Sequence, residues 1–238
     1  MKPRQTALPV VALVATLLAG CAGSGSQAAP PASVTGTPAA PSPSPAPQSA
    51  RDELQAALAL FRTSTYRYAV TGDYLPKEKI RASGAHDPHA RAATWTDKIT
   101  GGSEAGTNKQ IVIGADRYRA EGGAKWKHLA RTDATIDADD PDGLSRFAAS
   151  ITSTQRTAPH AFKGDLFVLA TGDKTGFLPL GAPSLQFPDN VGVQFTAALD
   201  EQGRVRSIAI ALKTPDGTLH QNITFSGYGE PVTISKPA

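Results

Sequence analysis

Cysteine is almost absent: Cys21 is the single one among 238 residues. One thiol cannot close an intrachain disulfide or supply the ligands of a cysteine-type zinc site, so neither a disulfide scaffold nor a structural zinc centre of the cysteine type is open to this chain. Charge of one sign is scarce too. The 24 basic and 21 acidic side chains leave a formal net charge of +3, short of the clustered basic face that nucleic acid requires, so no nucleic-acid partner is expected. Catalytic signatures are missing as well. There is no Gly-x-Ser-x-Gly elbow, no Ser-x-x-Lys pair, no Gly-rich phosphate loop and no His-Glu-x-x-His helix, and the expectation is a protein that is not an enzyme and uses no cofactor.

What is present begins with an export signal. Lys2 and Arg4 precede a stretch from Thr6 to Gly20 without charge, centred on Val10-Val11-Ala12-Leu13-Val14-Ala15-Thr16-Leu17-Leu18. That stretch is shorter than the roughly 20 residues that span a ~30 Å hydrocarbon core, and no stop-transfer pattern follows it, so it reads as a secretory signal peptide. It ends in Leu18-Ala19-Gly20-Cys21, which resembles the bacterial lipoprotein box. The resemblance implies that Cys21 receives a diacylglyceryl group and that cleavage leaves it as the new N-terminus, with residues 1–20 discarded. Thioether formation would consume the thiol and remove a sulfur nucleophile from consideration. Several acyl chains anchor a protein where one cannot, since each buried methylene adds roughly 0.8 kcal/mol. The expected location is the outer face of the cytoplasmic membrane, in the cell envelope. Without Lys2 and Arg4 the chain keeps 22 basic against 21 acidic side chains, so capture by anionic surfaces is not its principle of action.

Residues 22–50 are different material: almost wholly Ala, Pro, Ser, Gly, Thr and Gln, with seven prolines and no charge. Such a segment buries too little apolar surface to offset its ordering entropy, and with Cys21 it reads as a lipidated, disordered tether over 21–50. At about 3.1 Å per residue it reaches roughly 90 Å when extended, or about 30 Å as a flexible coil. Its Ser42-Pro43-Ser44-Pro45 repeat offers hydroxyls for O-linked sugar.

Residues 51–238 are the expected folded domain. Asp52 and Glu53 open a helix in which Leu54, Ala57, Leu58 and Phe61 share one face. From Tyr66 the period changes to two, through Tyr68, Val70, Gly72 and Tyr74, which predicts a half-buried strand. Glu78–Ala85 and Ala90–Thr100, around the breaker His86-Asp87-Pro88-His89, predict a hairpin. Lys109–Ile113 and Arg117–Glu121, around Gly114-Ala115-Asp116, predict another, with Lys125–Leu129 as a continuation. A second helix is predicted over Gly143–Ser153, striped with Leu144, Phe147, Ala148 and Ile151. Val191–Asp200, Arg204–Lys213 and Thr218–Gly227, joined by short turns, predict an antiparallel meander with Val193, Phe195, Ala197, Leu199, Ile208, Ile210, Leu212, Leu219, Ile223 and Phe225 on one face. Two helices are few for eight to ten strands. The expected class is α+β: a strongly curved antiparallel β-sheet, a half-barrel, with a few helices covering its concave face.

The lipoprotein box, the Pro/Ala/Ser tether, the opening helix, the meander and the ending Thr224-Phe225-Ser226-Gly227-Tyr228-Gly229-Glu230-Pro231-Val232-Thr233-Ile234 together resemble actinobacterial lipoproteins of the LppX/LprG type, which have the LolA/LolB-like fold. Asp200-Glu201-Gln202-Gly203-Arg204-Val205 is similar to the hairpin before that ending in such proteins. The Ala, Pro and Arg content suits a GC-rich actinobacterium. The resemblance implies a membrane-anchored, non-catalytic lipoprotein that binds or carries a lipid or an acylated ligand in an apolar cavity. A different reading of the same residues is a filled-core sensor or adaptor domain whose partner is another envelope protein.

Holding a lipid tail takes apolar surface that the protein does not spend on its own packing. The candidates are Leu58, Phe61, Leu144, Phe147 and Ile151 on the helices and Phe195, Ile208, Ile210, Ile223 and Phe225 on the sheet, and the same residues serve equally well to close a core. Phe177, Leu178, Leu180, Leu185 and Phe187, in a stretch broken by Gly and Pro, are the candidate lid. His86, Asp87 and His89 stand close enough to share a metal, but Asp-Pro at that point has a conformational reason. Asp137, Asp139, Asp140 and Asp142 could offer oxygens to Ca²⁺, yet Asp142 and Ala148 stand where an EF-hand has its Gly and Glu, and helix capping explains the acids with less. No metal site is expected.

Overall fold

The computed structural model describes residues 49–129, 140, 143–168 and 191–238. Cys21, the tether and the candidate lid residues Phe177, Leu178, Leu180, Leu185 and Phe187 lie outside them.

The first element is helix α1, Ala50–Ala59. The Ser49 hydroxyl accepts the Asp52 backbone N–H at 3.1 Å and donates to the Asp52 carboxylate at 2.6 Å, which caps the helix and places an acid at its positive end. A 3-10 turn, Leu60–Arg62, extends it and delivers Phe61 to the core. The chain then turns into β1 (Tyr66–Asp73), β2 (Lys79–Asp87), β3 (Ala92–Thr100), β4 (Gly106–Ile113), β5 (Asp116–Glu121) and β6 (Lys127–Leu129). Helix α2 (Leu144–Ser150) leads directly into β7 (Ile151–Ala158) and β8 (Ala161–Val168), and β9 (Val191–Leu199), β10 (Val205–Thr214) and β11 (Gly217–Ser226) complete the regular structure of the described residues.

The eleven strands among the described residues belong to one antiparallel sheet that is not closed, in the order β6-β5-β4-β3-β2-β1-β11-β10-β9-β8-β7. It consists of two meanders, β1–β6 and β7–β11, joined where the first strand meets the last. The seam runs in register from Arg67 opposite Ser226 to Gly72 opposite Gln221. Every other ladder pairs strands that follow one another in sequence, so this single ladder carries the long-range closure of the fold. The sheet is the coarse architecture expected, with one strand more than the expected upper count.

One face of the sheet is buried. Its rows follow from register: Tyr66, Tyr68 and Val70 on β1 lie opposite His86, Gly84 and Ala82 on β2, while Ile223 and Phe225 on β11 flank them on the other side. Ile208, Ile210 and Leu212 continue the face on β10, Val193, Phe195 and Ala197 on β9, and Phe162 and Leu166 on β8. Two positions in this face require glycine by close approach. A methyl at Gly84 would stand 2.5 Å from the ring of Tyr68, and one at Gly164 would stand 2.8 Å from the ring of Phe195. Each aromatic ring lies over the bare backbone of its cross-strand neighbour.

The predicted second helix is corrected at its C-terminal end. It stops at Ser150, and Ile151 is extended, with φ −65° and ψ 120°. The Ser150 hydroxyl donates back to the Arg146 carbonyl at 2.7 Å, and the residues that follow, Ile151, Thr152, Ser153 and Thr154, are β-branched or hydroxylic and favour strand. Hydrophobic period does not predict the β7–β8 hairpin. As the edge strand, β7 has a buried side chain only at Ile151, so its apolar alternation is nearly absent. The first hairpin is also shifted: His86 and Asp87 end β2 and are not in the turn, which is made by residues 88–91. Among the described residues, no helix is long and apolar enough to cross a membrane.

Candidate functional site

The ten apolar candidates Leu58, Phe61, Leu144, Phe147, Ile151, Phe195, Ile208, Ile210, Ile223 and Phe225 come together in a single cluster, each between 0 and 6% exposed. Phe61 is the hub on the α1 side. Its ring centroid lies 4.8 Å from Tyr66, 4.7 Å from Phe225 and 5.8 Å from Tyr228, distances at which edge and tilted pairs attract beyond their area burial. Tyr228 returns into this group because Gly227 and Gly229 on either side adopt positive φ, and its hydroxyl donates to the Val205 carbonyl at 2.8 Å. On the α2 side Phe147 meets Phe195 edge-on at 5.3 Å.

The two helices are fixed to each other and to one end of the sheet. Gln55 on α1 donates to the Ala148 carbonyl of α2 at 2.9 Å, Arg51 to the Ile151 carbonyl at 3.2 Å, and Arg62 to the Ser145 hydroxyl at 3.2 Å. Glu53 pairs with Arg156 of β7. Helix α1 thus packs on α2 and β7, and α2 packs on β8.

The two polar candidates have structural roles. The His86 ring is buried and lies 2.9 Å from the Tyr66 hydroxyl through Nδ1. The Asp87 carboxylate accepts the backbone N–H groups of His89 and Ala90, both at 3.0 Å, which builds the turn that follows β2. His89 reaches instead to the Thr63 carbonyl at 2.9 Å. Of the acidic run, Asp137, Asp139 and Asp142 lie outside the described residues. Asp140 receives the N–H groups of Ser145 at 2.8 Å and Arg146 at 3.0 Å, two of the four that an α-helix leaves unpaired at its start. Among the described residues, no group of three or more His, Cys, Asp or Glu is placed to hold a metal ion.

Sequence reasoning missed a polar set on the buried face of β3–β5. Cross-strand register places Trp95, Gln110 and Arg119 in one row and Asp97, Asn108 and Glu121 in the next. Asp97 is fully buried, and Trp95 is 3% exposed. One carboxylate oxygen of Asp97, Oδ2, accepts the Asn108 amide at 3.0 Å. The other, Oδ1, has no hydrogen-bond partner, and neither has the indole Nε1 of Trp95 nor Nε of Arg119. Arg119 pairs through its terminal nitrogen with Glu121 at 2.7 Å, where both side chains reach solvent. Burial pushes the Asp97 carboxyl up to about 6, against the opposing pull of the Asn108 hydrogen bond and the Arg119 charge. Nearby, burial raises the Tyr74 hydroxyl to about 12, with Glu104, Asp97 and Glu78 adding to the effect. An alternating pattern such as Thr94-Trp95-Thr96-Asp97-Lys98-Ile99 announces a strand, but a lone Asp on the apolar side of one is a signal that only register turns into a site.

No protein-family description matches the chain, and no curated protein does. Similar solved structures include an uncharacterized conserved protein from Thermus thermophilus, 11% identical, with a TM-score of 0.41 over 75% of this chain and 87% of that one. Another is the beta-barrel-like protein of a domain of unknown function, DUF1849, from Brucella abortus, 7% identical, with a TM-score of 0.19 over 70% of this chain and 96% of that one.

Proposed function

We propose that this chain is a lipid-anchored envelope protein that binds a lipid or an acylated ligand on the buried face of its sheet, without chemical turnover. In this reading Cys21 carries the anchor, residues 21–50 are the tether, and the sheet curls into a half-barrel with α1 and α2 on its concave side. The chain works on the outer face of the cytoplasmic membrane, and its fold is of the LolA type that the LppX/LprG lipoproteins have.

The observation that carries the reading is the mismatch between sheet and helices. The buried apolar face continues from β1 onto Ile80 of β2, Ala93 and Ile99 of β3 and Val112 of β4. The described helices make their main sheet contacts on β7 and β8, and Phe61 carries them as far as β1 and β11. An acyl chain lying on Ile80, Ala93, Ile99 and Val112 would meet methyl and methylene groups there, and each buried methylene is worth roughly 0.8 kcal/mol. The test is lipid extraction from the full chain carrying Cys21→Ala, purified without detergent. An acyl species at near one mole per mole, absent from a control protein, is the expected result, and a lipid-free extract contradicts the reading.

A second reading has its own observation. All ten candidate residues are packed into one buried cluster. A core filled in this way favours an adaptor that meets another envelope protein through its outer face. That reading predicts the lipid-free extract.

A further inference from the structure

We infer that the buried face of β3–β5 holds a neutral hydroxyl-bearing group, a sugar or glycerol unit, through Trp95, Asp97 and Arg119. As the headgroup subsite of a lipid this rests on the reading above. The site itself rests on three orphan atoms and their placement.

The atoms define the ligand's chemistry. Trp95 Nε1–H and Arg119 Nε–H can only donate, and Asp97 Oδ1, in the ionised carboxylate, can only accept. A hydroxyl does both at once. A unit with several hydroxyls supplies an acceptor for each N–H and an O–H for the carboxylate. Leaving such groups unpaired in a buried place is costly, so the orphans at Trp95 and Asp97 of β3 and at Arg119 of β5, all on one face, need an explanation.

The charge balance excludes the obvious rivals. Asp97 and Glu121 face Arg117 and Arg119 across β3, β4 and β5, so the set is neutral as a whole. Within these rows a phosphate would meet two carboxylates, and a metal cation would meet two guanidinium groups with Asp97 as the one buried carboxylate on the three strands. A neutral polyol meets neither penalty. The surroundings suit it as well. Ile99 adjoins Asp97 on the same face and Ile80 lies opposite Ile99, so the carbon skeleton of the unit, and any acyl chain attached to it, continues onto apolar side chains. At the other end Arg119 and Glu121 reach solvent, with side chains 40% and 60% exposed, which gives the polar row an outlet toward the edge of the sheet.

The experiment is calorimetric titration of the full Cys21→Ala chain with three probes: octyl β-glucoside below its micelle-forming concentration, methyl β-glucoside, and sodium octanoate. The same titrations follow for Asp97→Asn and for Trp95→Phe, which keeps an aromatic ring and loses the N–H. The inference predicts that octyl glucoside binds at least ten-fold more tightly than octanoate, and that each substitution weakens it by ten-fold or more while octanoate is unchanged. If methyl glucoside binds as tightly as octyl glucoside and the substitutions weaken both, the site stands with a free sugar as its ligand and the lipid reading falls. If octyl glucoside and octanoate bind alike, or if the substitutions leave octyl glucoside unaffected, the hydroxyl subsite is overturned and the lipid reading survives. If no probe binds, both are wrong. Circular dichroism of the two variants confirms that either one, by itself, is a folded test of the same atoms.

Discussion

Replacing Asp97 by Asn makes the protein more stable at neutral pH, and by an amount that depends on pH in a calculable way. The carboxyl has an ordinary value of 3.8 and is pushed up to about 6 by burial. Between those two values the folded chain holds a proton that the unfolded chain has lost, so stability falls as pH rises through that window and levels off above it. The penalty of the buried carboxylate is about 3 kcal/mol at pH 7.5 and about 0.6 kcal/mol at pH 4. Asn cannot ionise. Its extra N–H, placed where Oδ1 has no partner, costs about 1 kcal/mol at every pH. The variant is therefore about 2 kcal/mol more stable than the parent at pH 7.5 and slightly less stable at pH 4. The difference between the two proteins changes by about 2 to 2.5 kcal/mol across the range. All other titrating groups are common to both and cancel. Urea unfolding of the parent and variant, both as full chains with Cys21→Ala, at pH 4, 5, 6 and 7.5 reads this directly. A stability difference constant to within about 0.5 kcal/mol over that range, or one that moves against the variant as pH rises, would refute the assignment of a charged, buried Asp97.

Other outcomes follow from particular contacts. Phe61→Ala removes the hub shared by Tyr66, Phe225 and Tyr228 and costs about 3 to 5 kcal/mol, seen as a drop in Tm on the order of 10 °C. Gly84→Ala drives a methyl into the Tyr68 ring and destabilises by about 1 to 3 kcal/mol, whereas Gly114→Ala meets no neighbour within 4 Å and pays only for its positive φ of 57°. Asp140→Ala strips two helix N–H groups of their acceptor and costs about 1 kcal/mol, recovered by Asp140→Asn in large part. Cys21→Ala moves the chain from the membrane fraction to the soluble one in cell fractionation, and retention in the membrane pellet after a carbonate wash would contradict lipid anchoring through that residue.

The sheet is legible in sequence wherever alternation meets a short turn. Tyr66 to Tyr74, and the three strands after Val191, announce themselves because each buries every second residue against an apolar layer. The β7–β8 hairpin escapes because an edge strand carrying Thr, Ser, Gln and Arg buries almost nothing, and the second helix reads one turn too long because Ile151 fits a helical stripe as well as it fits a strand's first inward position. The joining of the two meanders is beyond local sequence. The pairing of β1 with β11 joins residues some 150 positions apart, and nothing local encodes it. The same limit hides the polar set on β3–β5. Trp95, Asp97, Asn108 and Arg119 are unremarkable in their own segments and become neighbours only through two ladders in register. The apolar candidates are the reverse case. They are legible as one inward face, while the distinction between a packed face and a lipid-lined one depends on volume, which residue type does not report.

Native mass spectrometry of the full Cys21→Ala chain, purified without detergent from the cells that make it, tests lipid binding most directly. The proposal predicts a second population heavier by the mass of one acyl-bearing molecule, released on collisional activation and diminished when Ile99→Glu places a charge on the apolar face of β3. A single population at the mass of the bare chain, unchanged after incubation with lipid vesicles, would contradict it.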